Sequence, residues 1–375
     1  MTRRLVLVGG GHAHLEVLRV AAARPFAAVL TLVSPYARQV YSGMMPAELR
    51  GAWDESRLAV ELPALCRAAG ARFVEGAAEA LELSPTGVAV CVGGVRVEGD
   101  LLSLDVGAVP AALDVPGAAE YAYGVRPLAS WRALVARLAE LAAVRGAGPL
   151  AACVVGGGAA GVELSLAVLA RAAAGGRGAR VTLVEGGPGI LPSWGRQAGR
   201  VRRLLEGRGV RVLTGRAVAR VEADAVVLAC GERVDAALTV WVPGAAALPL
   251  ARAAGLPVDA RGFLRVDATL RALGGAPVWG AGDCVALEGA PWVPKAGVYA
   301  VREAPVLAHN LRAAVGGGAA RAYRPQRDVL AALDTADGRA FVRWRGVATH
   351  SRAALALKRA IDGRFVRRYQ ALGAG

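Results

Sequence analysis

The stretch "RRLVLVGGGHAHLEVLRVAAA", residues 3 to 23, runs from two basic residues through a short apolar block into three glycines. Apolar residues then return at helical spacing. A continuous apolar block that ends at glycine reads as a strand buried on both faces of a parallel sheet, and the helical period that follows reads as its covering helix. The pattern recurs about 145 residues later in "CVVGGGAAGVELSLAVLARA", 153 to 172. Each copy leads to a second apolar strand, "AVLTLVS" at 28 to 34 and "RVTLVEG" at 180 to 186. Alternating stretches at 71 to 100 and at 210 to 234 predict a meander after each unit. A third apolar block, "PVWGAGDCV" at 277 to 285, again ends at glycine, and a helix is expected to start within 296 to 302.

Proline and glycine punctuate 111 to 127 and 240 to 250, which read as an outward and a return crossing between domains. The fold class expected is therefore α/β. It comprises two Rossmann-like, three-layer dinucleotide-binding domains, one split by the other, and a short C-terminal segment. The split domain is expected at 1–112 and 246–318, the inserted domain at 113–245 and the tail at 319–375.

With 375 residues, 55% of them apolar, the chain can fill these cores, yet no apolar run reaches the length of a membrane span. Only four apolar residues precede the first glycines, too few for a signal-peptide core, so a cytoplasmic protein is expected. The formal charge is +15 and nearly all of the positive charge is arginine, because Lys295 and Lys358 are the only lysines. Such an excess favours anionic partners. Without a nucleic-acid motif, and with 5% aromatic residues, it does not point to nucleic acid. Cys66, Cys91, Cys153, Cys230 and Cys284 form no CxxC or CxxxxC, which argues against a local redox dithiol or a zinc site.

Glycines in a strand–helix turn let the backbone approach a pyrophosphate, and the helix start offers free N–H groups to it. Gly156, Gly158 and Gly161 complete a G-x-G-x-x-G, whereas the first copy has Gly9 and Gly11 but His14 at the third place. His14 must then point away from the turn, or its helix must stand farther out. His12 lies inside the turn, where it either neutralises phosphate charge or serves packing. Glu185 ends the second strand of the second unit, where a carboxylate accepts from ribose hydroxyls and repels a 2′-phosphate; this favours NADH over NADPH. Glu163 falls in the first helical turn, where the dipole favours an acid, and is either a cofactor-binding residue or only a helix-start residue. Ser34 is the weaker counterpart of Glu185 in the first unit.

On these motifs the chain resembles the pyridine nucleotide-disulfide oxidoreductase superfamily, the two-dinucleotide-domain flavoproteins. "VTLVEGGPGILPSW" is similar to type II NADH dehydrogenases. "GGGHAHLEVL", "YSGMMPAELRG" and "PKAGVYAVREAPVLAHNL" resemble the FAD-dependent branch often fused to selenide, water dikinase. The chain stops where such a kinase would begin.

The resemblance implies FAD at the first site and NAD(P)H at the second, with Gly282 and Asp283 on the FAD ribityl and pyrophosphate. It puts the loop around Gly43 beside the flavin, with Met44 and Met45 either lining an acceptor pocket or filling the core. Lys295 is expected near the flavin pyrimidine edge, as a candidate catalytic group or a solvated lysine. The expected reaction passes a hydride from NADH to flavin and electrons on to an acceptor, a quinone by analogy. The alternatives are a thiol, a selenium species or a small electron carrier as acceptor, or a redox-responsive binding partner without turnover. Residues 351 to 372 predict a basic helix with Leu357, Ile361, Phe365, Tyr369 and Leu372 on one face, which either packs on the protein or lies in a membrane interface.

Overall fold

A computed structural model of the chain describes residues 2–84, 87–144, 146 and 148–373. The first unit begins with β1 (Arg3–Val8), β2 (Ala28–Ser34), β3 (Arg72–Glu75) and β4 (Leu101–Leu104), with α1 (His12–Ala23) joining β1 to β2. The chain then builds β5 (Ala122–Gly124), β6 (Leu150–Val155), β7 (Ala179–Glu185), β8 (Arg211–Thr214) and β9 (Leu238–Trp241), with α2 (Ala159–Ala174) after β6. It returns through β10 (Val278–Gly280) and α3 (Gly297–Gly316). The sheet orders are β10-β4-β1-β2-β3 and β5-β9-β6-β7-β8, and every pairing in both is parallel. This accounts for the unbroken apolar runs. Val6, Leu7, Cys153 and Val154 point to alternate faces, and all are buried because helices cover one side of each sheet and its antiparallel meander the other.

The outward and return crossings run side by side as an antiparallel ribbon, Val109–Pro110 against Ala245–Ala246. The structure refines three expectations. Residues 122–124, read within a crossing, form an edge strand of the second sheet. Arg72–Glu75 and Arg211–Thr214, each read as the start of a meander, instead pair in parallel in the main sheets. The meanders themselves are the three-stranded pieces at 80–99 and 218–235.

The C-terminal segment contributes an antiparallel sheet of β11 (Ala331–Asp334), β12 (Ala340–Trp344) and β13 (Val347–Ser351), followed by α4 (Arg352–Gly373). Helix α4 packs on the Leu62–Ala68 helix, on α1 and on its own sheet. Its inward face carries Leu355, Lys358, Asp362, Val366 and Tyr369. The expected stripe is thus split: Tyr369 is buried, while Leu357 and Ile361 are 45% and 43% exposed. No helix among the described residues is long and apolar enough to cross a membrane.

Candidate functional site

The two glycine turns share one geometry. Gly9 N donates to Val33 O and Gly156 N to Val184 O, both at 2.8 Å. Asp105 N donates to Val8 O, and Val242 N to Val155 O, again at 2.8 Å. Gly9 and Gly156 adopt φ of +95° and +114°, and a Cβ there would stand 2.3 Å and 2.2 Å from the carbonyl oxygens of Asp105 and Val242. Only glycine fits such a position. In the first turn the N–H groups of Gly10, Gly11 and His12 have no acceptor among the described residues. Open backbone donors beneath a glycine-lined cleft are what a dinucleotide pyrophosphate needs.

The third position separates the copies. At Gly161 a Cβ would lie 1.8 Å from Gly156 O, so that helix sits hard on its turn. His14 points inward, contrary to the expectation that it turns away. Its ring is fully buried, with Nδ1 2.6 Å from Gly9 O and Nε2 2.8 Å from Ser103 Oγ. Burial lowers its pKa to about 4. His12 is also buried and its pKa falls to about 4, through desolvation first and then the nearby Arg126 charge. It is therefore neutral in the cofactor-free protein. Its Nε2 has no hydrogen-bond partner, and its ring meets Tyr41 and Phe365 with centroids 5.4 Å away in each case.

The first turn opens on a cleft of about 500 Å³. Its lining includes Ser34, Pro35 and Ala78 as well as Ser42, Met45 and Gly297. Ser34 Oγ donates to Tyr36 O at 3.0 Å. Asp283 also lines the cleft and is held by Arg126, Nη1 to Oδ2 at 2.7 Å. Met45 reaches the cleft wall, whereas Met44 is core. Gly43 offers its carbonyl to Lys358 Nζ at 2.6 Å. Gly282, at φ +74°, donates its N–H to Glu303 at 2.6 Å. Lys295 does not line this cleft. Its ammonium donates to Val285 O and stands 4.0 Å over the Phe263 ring, on a second cavity behind Asp283.

In the second turn Glu185 is fixed by two backbone donors, Gly157 N and Gly187 N, each at 2.6 Å. Its remaining lone pairs stay available to a ribose. Glu163 corrects another expectation: it does not serve the helix start. Its carboxylate is buried against the C-terminal segment and accepts from Asp334 N at 2.7 Å. Burial pushes its pKa up to about 7, against the pull of Lys358.

Around Glu163 the fold assembles groups that sequence spacing did not single out. Lys358 Nζ donates to Asp362 Oδ2 at 2.8 Å, and Arg50 pairs with Asp334 at 2.8 Å. Burial opposes the charge on Lys358, but Glu163 and Asp362 more than offset it and raise its pKa. The i,i+4 spacing of Lys358 and Asp362 was the one available signal. Arg126 and Asp105 were also missed: Arg126 sits inside a segment read as a crossing, and Asp105 lies just before it. Cys66, Cys153 and Cys284 are buried thiols whose pKa desolvation pushes up to about 12. Among the described residues no acid, histidine and cysteine cluster could hold a metal.

The family model for pyridine nucleotide-disulphide oxidoreductase matches residues 3–311. Comparison with curated protein sequences gives no significant match. Among solved structures the chain is similar to the sulfide:quinone oxidoreductase of the hyperthermophilic bacterium Aquifex aeolicus, at 19% identity and a TM-score of 0.83, covering 99% of this chain and 92% of that one. It is similar to NDH2 from Plasmodium falciparum in complex with NADH, at 13% identity and a TM-score of 0.84, covering 100% and 97%. It is also similar to a NAD-dependent persulfide reductase from A. fulgidus, at 21% identity and a TM-score of 0.74, covering 91% and 64%. At these identities the likeness speaks for the fold. The match over most of its length shows that the chain belongs to the pyridine nucleotide-disulphide oxidoreductase family, and it is an NAD(P)H-dependent flavin oxidoreductase with FAD as its cofactor.

Proposed function

We propose that the protein takes a hydride from NADH and delivers electrons to a quinone. Bound FAD supplies the redox chemistry between the two. Gly10, Gly11 and His12 offer N–H groups to its pyrophosphate, Asp283 takes its ribityl chain, and Ser34 faces its adenosine end. The turn of Gly156, Gly158 and Gly161 holds NADH, with Glu185 on the adenosine ribose.

The observation that carries the acceptor assignment is the wall beside Ser42 and Met45. There Ser42, Met45 and Gly297 line the cleft with no cysteine among its lining residues, and behind His12 of the same lining the rings of Tyr41 and Phe365 stack with centroids 4.5 Å apart. A flat apolar ring suits that wall, whereas disulfide reduction needs a thiol pair beside the flavin. Cys284 donates its S–H to Ala281 O at 3.2 Å and stays a buried thiol. The test is anaerobic mixing with NADH, which bleaches the flavin, followed by a short-chain ubiquinone or menaquinone, which restores the oxidised spectrum. Re-oxidation by a disulfide, a selenium species or a protein electron carrier, and not by quinone, overturns the acceptor. Bleaching by NADPH alone overturns the donor.

The reading extends to a lipid surface, where such quinones reside. Leu357 and Ile361 stand exposed on α4 among Arg352, Arg359 and Arg364. Two apolar side chains ringed by arginine suit peripheral contact with anionic lipid. Salt-sensitive binding to anionic vesicles, lost in a Leu357→Asp, Ile361→Asp double variant, supports it; wild type that ignores vesicles at low salt removes it.

A further inference from the structure

Asp105 and Val242 occupy matching places in the two units, as their shared backbone contacts show. The second unit has an apolar side chain there. The first has a carboxylate, 3% exposed, set against the glycine turn. Asp105 Oδ2 accepts from Ala13 N at 2.7 Å and from His14 N at 3.0 Å. It thereby takes two of the N-terminal donors of α1, the helix end that faces the cleft. A Cβ on Gly11 would stand 2.3 Å from this carboxyl, and one on Gly282 would stand 2.8 Å from Oδ1. The carboxyl is wedged between the two turns and belongs to the same cleft wall as Gly9, Gly10, Gly11 and Asp283.

Its charged surroundings are one-sided. Glu303, itself pushed up to about 7 by burial, faces it from α3, and Asp283 faces it from the adjoining turn. Cys284 is a buried thiol, and His12 and His14 on α1 are neutral. Arg126 is the cation at this part of the cleft, and it is already paired with Asp283. A diphosphate on the remaining N–H groups of Gly10, Gly11 and His12 brings two further negative charges to a wall that has no spare positive one. Like charges in a desolvated cleft repel strongly, and the cheapest relief is protonation.

We propose that Asp105 sets the affinity for FAD, and that binding of the cofactor's diphosphate draws a proton onto it, so that FAD uptake is coupled to proton uptake. The proposal rests on the reading that this cleft holds FAD. The protonated acid keeps an oxygen for Ala13 N and His14 N, so the helix cap survives the change. Burial first, then the charges of Glu303 and Asp283, raise the acid to about 7 in the free protein, against the pull of those two N–H groups. The diphosphate raises it further. Above the free value, binding takes up one proton, and the dissociation constant grows toward about tenfold per pH unit. Below it the acid is already neutral and the profile is flat.

Deflavinated full-length protein is titrated with FAD from about pH 6 to about pH 9. Wild type is expected to lose affinity above neutrality, and Asp105→Asn to give a flat profile and tighter binding at the alkaline end. Asparagine keeps an acceptor oxygen for the helix cap. Calorimetry of wild type in two buffers of different ionisation enthalpy counts the proton directly and needs no variant. Riboflavin, which lacks the diphosphate, is expected to bind without proton uptake. Equal pH profiles in wild type and variant, or FAD binding without proton uptake above neutrality, overturn the proposal. Wild type that binds no FAD at any pH overturns the reading of the cleft and this coupling with it.

Discussion

His14 Nε2 lies 2.8 Å from Ser103 Oγ, and this contact ties the start of α1 to β4. A residue that replaces a glycine in the turn has become a cross-strand pin. Ser103→Ala leaves a buried ring nitrogen unpartnered and is expected to cost about 1–3 kcal/mol of stability. The loss is read as a lower denaturation midpoint at unchanged slope. His14 also gives a pH dependence. Its folded pKa lies below its unfolded value, so its contribution is complete above about pH 6.5 and is lost as pH falls toward 4. The stability advantage of wild type over His14→Asn is expected to shrink over that window; a constant advantage refutes the assignment.

The Arg126 and Asp283 pair lines the cleft proposed for FAD. Asp283→Ala removes a charge-assisted hydrogen bond and is expected to lose most of the flavin. Absorbance of the purified variant checks it, and full flavin occupancy counts against the role of Asp283.

Glu185 is expected to make NADH the preferred donor. Because it also anchors Gly157 and Gly187, Glu185→Gln tests charge with least disturbance of the turn. The variant is expected to narrow the gap to NADPH by roughly ten- to a hundredfold, about 1–3 kcal/mol. Wild type that uses both donors equally well removes the reading.

Lys358→Met leaves Glu163, Asp362 and Asp334 with Arg50 as the remaining cation of the cluster. Breaking a buried pair from one side is expected to cost about 3–5 kcal/mol. Truncation after Ser351 also strips the cover formed by Leu355, Val366 and Tyr369. The truncated chain is expected to lose solubility or flavin. If it stays soluble with full flavin, α4 is a peripheral attachment.

No cysteine pair is expected in turnover. Replacing all five cysteines by serine or alanine is expected to leave NADH-dependent reduction and re-oxidation of the flavin largely intact. Loss of re-oxidation alone would restore a dithiol mechanism.

Much of the scaffold could be read from the chain because it is local. An apolar run, a glycine turn and a helical period each need only neighbouring residues, so both βαβ units, Gly9, Gly156 and the start of α3 were legible. The site residues that failed or were missed depend on distant partners. Glu163 looked like a helix-start acid because its acceptor role toward Asp334 spans 171 residues of sequence. Lys358 looked like a surface cation because its i,i+4 partner Asp362 is as common on an exposed helix face as in a buried one.

The sequence by itself determined the two nucleotide units, their order and the glycines that only a tight strand–helix turn requires, since backbone sterics and hydrophobic period act over a few residues. The tertiary structure alone decided the protonation and partners of the polar groups. His12 is neutral, His14 pins β4, Lys295 faces a second cavity, and Asp105 stands against the helix end that the first turn presents. Desolvation and charge pairing are properties of the space in which a group is enclosed, and that space is built by segments the sequence keeps far apart.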